Sequence, residues 1–182
     1  MDIFSHGLWA VAAAKAAKQK TARPVSLWFA AFWGMFPDLF AFSFFFFWMF
    51  WNIAANGWAV NDFPRPDAIE PIRPEVAQMS FLSHRLYDFS HSVIVFLVIF
   101  FVIWLIRHRP SWEMIGWPLH ILIDIPTHSY QFYPTPVFWP LWEWKFPHGH
   151  SWVNWKFLVI NYALILIVFY WLRRRDRSLQ SR

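Results

Sequence analysis

Cysteine is absent from this chain of 182 residues. Disulfides and thiolate metal ligands are therefore excluded, and any metal has to be held by histidine and carboxylate. Charge is scarce too, at 15% of residues, and what basic charge there is sits in short clusters flanking apolar runs. No nucleic-acid motif accompanies the net charge of +5, so that charge reads as membrane topology and no nucleic-acid partner is expected. Internal repeats are lacking, as is any low-complexity tail beyond the basic C-terminus. The start has neither a basic n-region nor a small-residue cleavage site, and is not read as a removable signal peptide.

What the chain does contain is aromatic. With 15 Trp and 22 Phe among 182 residues, a soluble domain of this size could not hide them, and lipid is the expected solvent. The expected fold is all-α: a polytopic transmembrane helix bundle forming one integral membrane domain over residues 1–182. About five hydrophobic segments are expected to be helical: Ile3 to Ala17, Val25 to Ile53 (interrupted at Pro37-Asp38), Val93 to Ile106, Trp112 to Ile125, and Val153 to Leu172. The last is the most conventional span, at the roughly 20 residues a bilayer requires, whereas the third and fourth are short for free-standing spans.

If all five cross, three basic groups share one side: Lys15, Lys18, Lys20 and Arg23; Arg107 and Arg109; Arg173, Arg174, Arg175 and Arg177. The positive-inside rule makes that side, and the C-terminus, cytoplasmic. Asp62, Asp67, Glu70, Glu75, Asp88 and Glu143 fall in the opposite loops. Pro64, Pro66, Pro71 and Pro74 are expected to exclude long regular helices from residues 54–90. Residues 130–151, rich in proline and aromatics, are expected to pack at the membrane interface.

A few polar residues interrupt the apolar runs. His120 and Asp124 are four apart, which on a helix separates them by only about 40° around the axis. The two can share one cation, or simply pair with each other across helices. His128 continues the spacing beyond Pro126 as a third ligand, a proton carrier or an interfacial residue. Asp38 follows Pro37 deep in an aromatic segment, where it either caps a new helix or binds a cation. His91 opens the third segment, with Ser90 or Asp88 as its expected cap. His84 reads as a loop residue. His6 lies near the start of the first segment, close to the others only if that segment crosses. His148-Gly149-His150 is a possible auxiliary pair in the aromatic loop.

In order, His6-Gly7, Pro37-Asp38, His91-Ser92 and His120-x3-Asp124 resemble the pattern of a family of bacterial inner-membrane, metal-dependent hydrolases, the LexA-regulated YdjM-like proteins. The chain departs from that pattern in having Leu39-Phe40 after Asp38 and His84-Arg85-Leu86-Tyr87-Asp88 before the His-Ser. The resemblance implies an inner-membrane hydrolase whose metal ligands are His6, Asp38, His91, His120 and Asp124. Three imidazoles and two carboxylates suit a first-row divalent ion, with Zn²⁺ the default. His128 or Asp88 would move the proton, and a lipid-like or amphiphilic ester, phosphoesters first, would be the substrate. The competing expectation is a non-catalytic, metal-stabilised structural or interaction protein of the membrane. Ion or proton transport ranks last, because the inner halves of the third and fifth segments are almost wholly apolar.

Overall fold

The protein is described here from a computed structural model, which covers residues 1–21, 25–63 and 73–180. Arg23, Pro64, Pro66, Asp67, Glu70 and Pro71 lie outside the described residues. Among the described residues there are six α-helices and no strand: α1 (Ile3–Thr21), α2 (Leu27–Asn56), α3 (Pro74–Ser90), α4 (Val93–Arg107), α5 (Gly116–Thr127) and α6 (Trp155–Gln180).

All five expected apolar segments are helical, but five crossings are not reached. Two helices are long and apolar enough to span a membrane, Leu27–Asn56 and Trp155–Arg177. A third span results if α3 and α4, bent by 60° at their junction, count as one. With 12 residues, α5 extends only about 18 Å, against about 30 Å of hydrocarbon.

Two local expectations fail for identifiable reasons. Residues 74–90 form a 17-residue helix, so Glu75, His84 and Asp88 are helical and not in loops. Pro74 occupies the first turn, where its missing N–H would be unpaired in any case, so here the proline starts the helix. Asp38 caps nothing: α2 runs unbroken through Pro37 for 30 residues, from the Ser26 N-cap to Gly57, which ends it at φ +67°. A single lost backbone bond at Pro37 is tolerable in a long membrane helix.

Although α1 falls short as a span, it lies along α6. Asn161 of α6 donates to Ser5 Oγ at 2.7 Å and accepts from Trp9 Nε1 at 2.9 Å. Further on, Asp176 takes Lys15 at 2.8 Å and Gln19 at 2.5 Å. Residues 5 to 19 thus pair in order with residues 161 to 176, so the two helices run parallel and at the same depth. Their basic ends coincide. The turn after α4 joins the same end, because Glu113 accepts from the Ser26 backbone N–H at 3.2 Å beside Thr21 and Val25. Lys15 and Lys18, Arg107, and Arg173 to Arg177 are therefore gathered at one end of the molecule.

Small residues bring three helices into close contact. A Cβ on Gly116 would lie 2.7 Å from Ala30 O and 2.8 Å from Gly34 N, and one on Gly34 would lie 2.5 Å from Ala10 Cβ. Glycine is required at this crossing because backbone faces backbone, as at small-residue contacts in membranes generally. Above it, Trp33, Phe36, Phe96, Met114, Trp117 and Ile121 form an apolar core. Gly116→Ala should cost about 1–3 kcal/mol through overpacking, read as a lowered thermal midpoint in detergent.

Candidate metal centre

The close crossing at Gly116 and Gly34 sets the register of the site. One turn beyond Gly116, His120 reaches the Gly34 carbonyl, with Nδ1 2.7 Å from that oxygen. A carbonyl only accepts, so Nδ1 carries the hydrogen, and in the neutral imidazole Nε2 is left with a bare lone pair. His91 is oriented in the same way at the α3–α4 corner. Its Nδ1 lies 3.2 Å from Tyr87 O and 3.0 Å from Ser90 Oγ, while Ser90 Oγ donates to Pro37 O at 3.0 Å. The imidazole also stacks on the Tyr87 ring, with centroids 3.7 Å apart. The cap of α4 is Ser92, which accepts from Ile94 and Val95, and not Ser90 or Asp88.

Consequently two bare nitrogens face each other, His91 Nε2 and His120 Nε2, at 3.0 Å. Neither can hydrogen-bond the other without an added proton or cation. Two carboxylates flank them. Asp38 Oδ1 is 3.5 Å from His91 Nε2 and 3.7 Å from His120 Nε2. Asp124 Oδ2 is 3.4 Å and 3.1 Å from the same two atoms, and among the described residues no hydrogen-bond donor serves it. All four side chains are buried, and one ligand atom from each lies within 4.8 Å of the others. Buried carboxylates and imidazoles left with converging lone pairs are costly unless a cation joins them. The donor set, two His and two Asp, fits a divalent first-row metal ion, and Gly34 O, Tyr87 O and Ser90 are the outer partners that fix the imidazole tautomers.

Other expected residues are placed as follows. His6 is buried, stacks on His120 at 3.5 Å between centroids, and puts Nε2 2.9 Å from Asp124 Oδ1. The approach forms no hydrogen bond, and among the described residues neither of its ring nitrogens has a hydrogen-bond partner. His128 ends α5 and holds Nε2 3.4 Å from Asp124 Oδ1. The α-ammonium of Met1 contacts that same oxygen and lies 3.0 Å from His128 Nε2. Asp88 is only half-buried; Lys145, His84, Arg85 and His91 are the ionisable groups that act on it, and among the described residues it makes no hydrogen bond or ion pair to this group. His84 bonds the Ser80 carbonyl and stacks on Tyr133. His148 and His150 are exposed, on a loop whose backbone closes the end of α5 by His150 N–H to Pro126 O and Trp152 N–H to Thr127 O.

On one side Asp38 reaches the lining of a cleft of about 440 Å³. His128 lines it too, together with the N-terminal residues Met1 to Phe4 and the aromatic side chains of Phe42, Phe45, Phe46, Phe132 and Trp152. Tyr133 also faces it, and burial raises its phenol above the ordinary value, so the group remains a hydrogen-bond donor at neutral pH.

The fold and this site define a helical membrane protein with a buried His–Asp group able to hold a metal ion. The chain belongs to the YdjM inner membrane protein family, whose model matches residues 1–180. No curated protein and no solved structure matches it.

Proposed function

We propose that the group at Asp38, His91, His120 and Asp124 binds a divalent metal, Zn²⁺ by preference, and that the protein hydrolyses a lipid-like or amphiphilic phosphoester. The observation that carries this reading is the pair of Nε2 atoms 3.0 Å apart between two carboxylates, one of which, Asp38, also lines an aromatic cleft. When bound, the metal would make water a nucleophile at neutral pH and polarise the phosphoryl oxygen. The protein's own groups would do the rest. Asp38 and Asp124 supply negative charge to retain the ion, and the tautomers of His91 and His120 are held by backbone carbonyls. The Phe and Trp walls hold an apolar tail and keep bulk water away. Water attacks phosphorus, the phosphorus–oxygen bond to the alcohol breaks, and a proton passes from the water to the leaving alcohol. Of the two residues expected to move that proton, Asp88 is not bonded to the group. His128 adjoins both Asp124 and the cleft and is the better placed, unless it is itself a ligand.

A metal-stabilised structural protein would need no opening at its donors, and the cleft against Asp38 favours hydrolysis over that reading. The direct test uses protein purified in detergent, stripped with chelator and reloaded with Zn²⁺, assayed on a panel of phosphoesters. Activity should vanish on stripping and return with Zn²⁺, and His120→Ala should lose both metal and activity. His120→Ala with wild-type metal content would overturn the ligand assignment.

We also place the shared basic end, with Arg173, Arg174, Arg175 and Arg177, on the cytoplasmic side of the inner membrane. A fluorescent protein fused after residue 182 should fold and fluoresce, whereas alkaline phosphatase at the same point should be inactive. The reverse result would invert the topology.

A further inference from the structure

The four donors leave a second set of buried polar atoms without a role. Asp124 faces two ways: Oδ2 turns to His91 and His120, while Oδ1 turns to His6 and His128. Around Oδ1 the imidazoles are incompletely hydrogen-bonded. Among the described residues no hydrogen-bond partner serves Nδ1 of His6 or Nδ1 of His128, and His6 Nε2 meets Asp124 Oδ1 at 2.9 Å without forming a hydrogen bond. His6 is 1% exposed and His128 4%, so water does not make up the deficit at the surface. Unpaired imidazoles in a protein interior call for an ion or an ordered ligand.

Positive charge already occupies this position. The Met1 α-ammonium contacts Asp124 Oδ1 and lies 3.0 Å from His128 Nε2. For His128 to accept from that ammonium, its Nε2 must carry a lone pair, which is the state a metal ligand needs. The Thr127 hydroxyl also donates to Oδ1, at 3.3 Å. Met1 stands before the first turn of α1, and Asp2 accepts from the Ser5 N–H at 3.0 Å, so a cation at this place would displace the ammonium while Asp2 keeps its bond to the helix start.

We infer that the protein holds a second divalent cation, ligated by His6 Nε2, Asp124 Oδ1 and His128 Nε2, with Asp124 bridging it to the first. The inference rests on the proposed four-donor centre only through Asp124, which both sites share. Two ions joined by a carboxylate form the arrangement that clamps both the attacking and the leaving oxygen in phosphoester hydrolysis. The second site borders the cleft through Met1 and His128, so its open coordination positions face the space a substrate would enter. In this arrangement His128 is a ligand and not the proton carrier, and the two roles differ in what its removal does to metal content.

The test is metal stoichiometry of the full chain in detergent, stripped with chelator, reloaded with excess Zn²⁺ and desalted before elemental analysis. Wild type should carry two Zn²⁺ per chain, and His128→Ala and His6→Ala one each. His91→Ala should lose the ion at the first centre and retain the other. One Zn²⁺ per chain in wild type, or two in a correctly folded His128→Ala, overturns the second site and leaves the first intact. No Zn²⁺ in wild type overturns both. A reading that needs no variant comes from loading wild type with Mn²⁺. Carboxylate-bridged ions should give an exchange-coupled paramagnetic resonance spectrum, whereas the six-line signal of isolated Mn²⁺ at saturation would refute the bridge.

Discussion

Asp124→Asn should leave the helix bundle folded and abolish metal binding. Asp124 is the residue on which the centre converges, because His6, His91, His120 and His128 all lie within 3.4 Å of one or other of its carboxylate oxygens. The amide has the same shape but no charge, and it presents an N–H to one side. That N–H can hydrogen-bond a bare imidazole nitrogen, so the metal-free variant gains a partner for an atom that has none. A cation approaching the same place meets a donor where it needs a lone pair. Wild type should therefore gain thermal stability with Zn²⁺, by about 2.7 kcal/mol at a free concentration 100 times Kd, and the variant should gain none. If the ion supplies several kcal/mol to the transition state, hydrolysis should fall by about 10³-fold or more. Differential scanning fluorimetry with and without Zn²⁺, paired with elemental analysis, checks the binding half of this prediction. A variant that keeps the wild-type metal content and the same Zn²⁺-dependent rise in melting temperature would remove Asp124 from the centre.

The donors were legible in the sequence because lipid makes polar residues conspicuous. A His or Asp within a run such as Leu119 to Ile125 has no cheap reason to be there, and the four-residue spacing of His120 and Asp124 already sets them on one face of a helix. Asp38 was harder. Its position after Pro37 suits a helix cap equally well, and only the continuity of α2 through the proline decides against that. The partners that orient the imidazoles could not have been read. Gly34 O and Tyr87 O are backbone atoms, and no side chain announces which carbonyl a histidine will meet. Tyr87 left a fainter trace, since it stands four residues before His91 and stacks on it, but that spacing has meaning only once residues 74–90 are known to be helical. Reading the prolines of residues 54–90 as breakers hid that helix, because a proline within a helix and one that starts a helix look alike in sequence. The five crossings are not confirmed, since among the described residues two helices, or three with the bent pair counted as one, have the length and apolarity of spans. The helices α1 and α5 carry much of the site, but α1 is rich in alanine and lysine and α5 has only 12 residues, so neither has both the length and the apolar character of a span.

Removing the aromatic wall should change which substrates are hydrolysed without touching the metal. Phe46 and Phe132 line the cleft, and neither belongs to the donor group or to the partners that orient it. Phe46 packs against Phe42, and Phe132 packs edge-on against Tyr133. Fully burying a phenylalanine side chain is worth about 1.5–3 kcal/mol, and an alkyl tail in the cleft would gain part of that from each ring. The double replacement Phe46→Ala with Phe132→Ala should therefore lower kcat/KM for a long-chain phosphoester by about 30–100-fold, from ~2–2.7 kcal/mol of lost apolar contact. A short-chain, water-soluble phosphoester does not reach those rings, and its kcat/KM should change by less than about threefold. Metal content should equal that of wild type. Together these results would show that the cleft recognises an apolar tail while the buried donors do the chemistry. An equal loss on both substrates would mean that the two rings support the centre itself, and the cleft would then have no part in choosing the substrate.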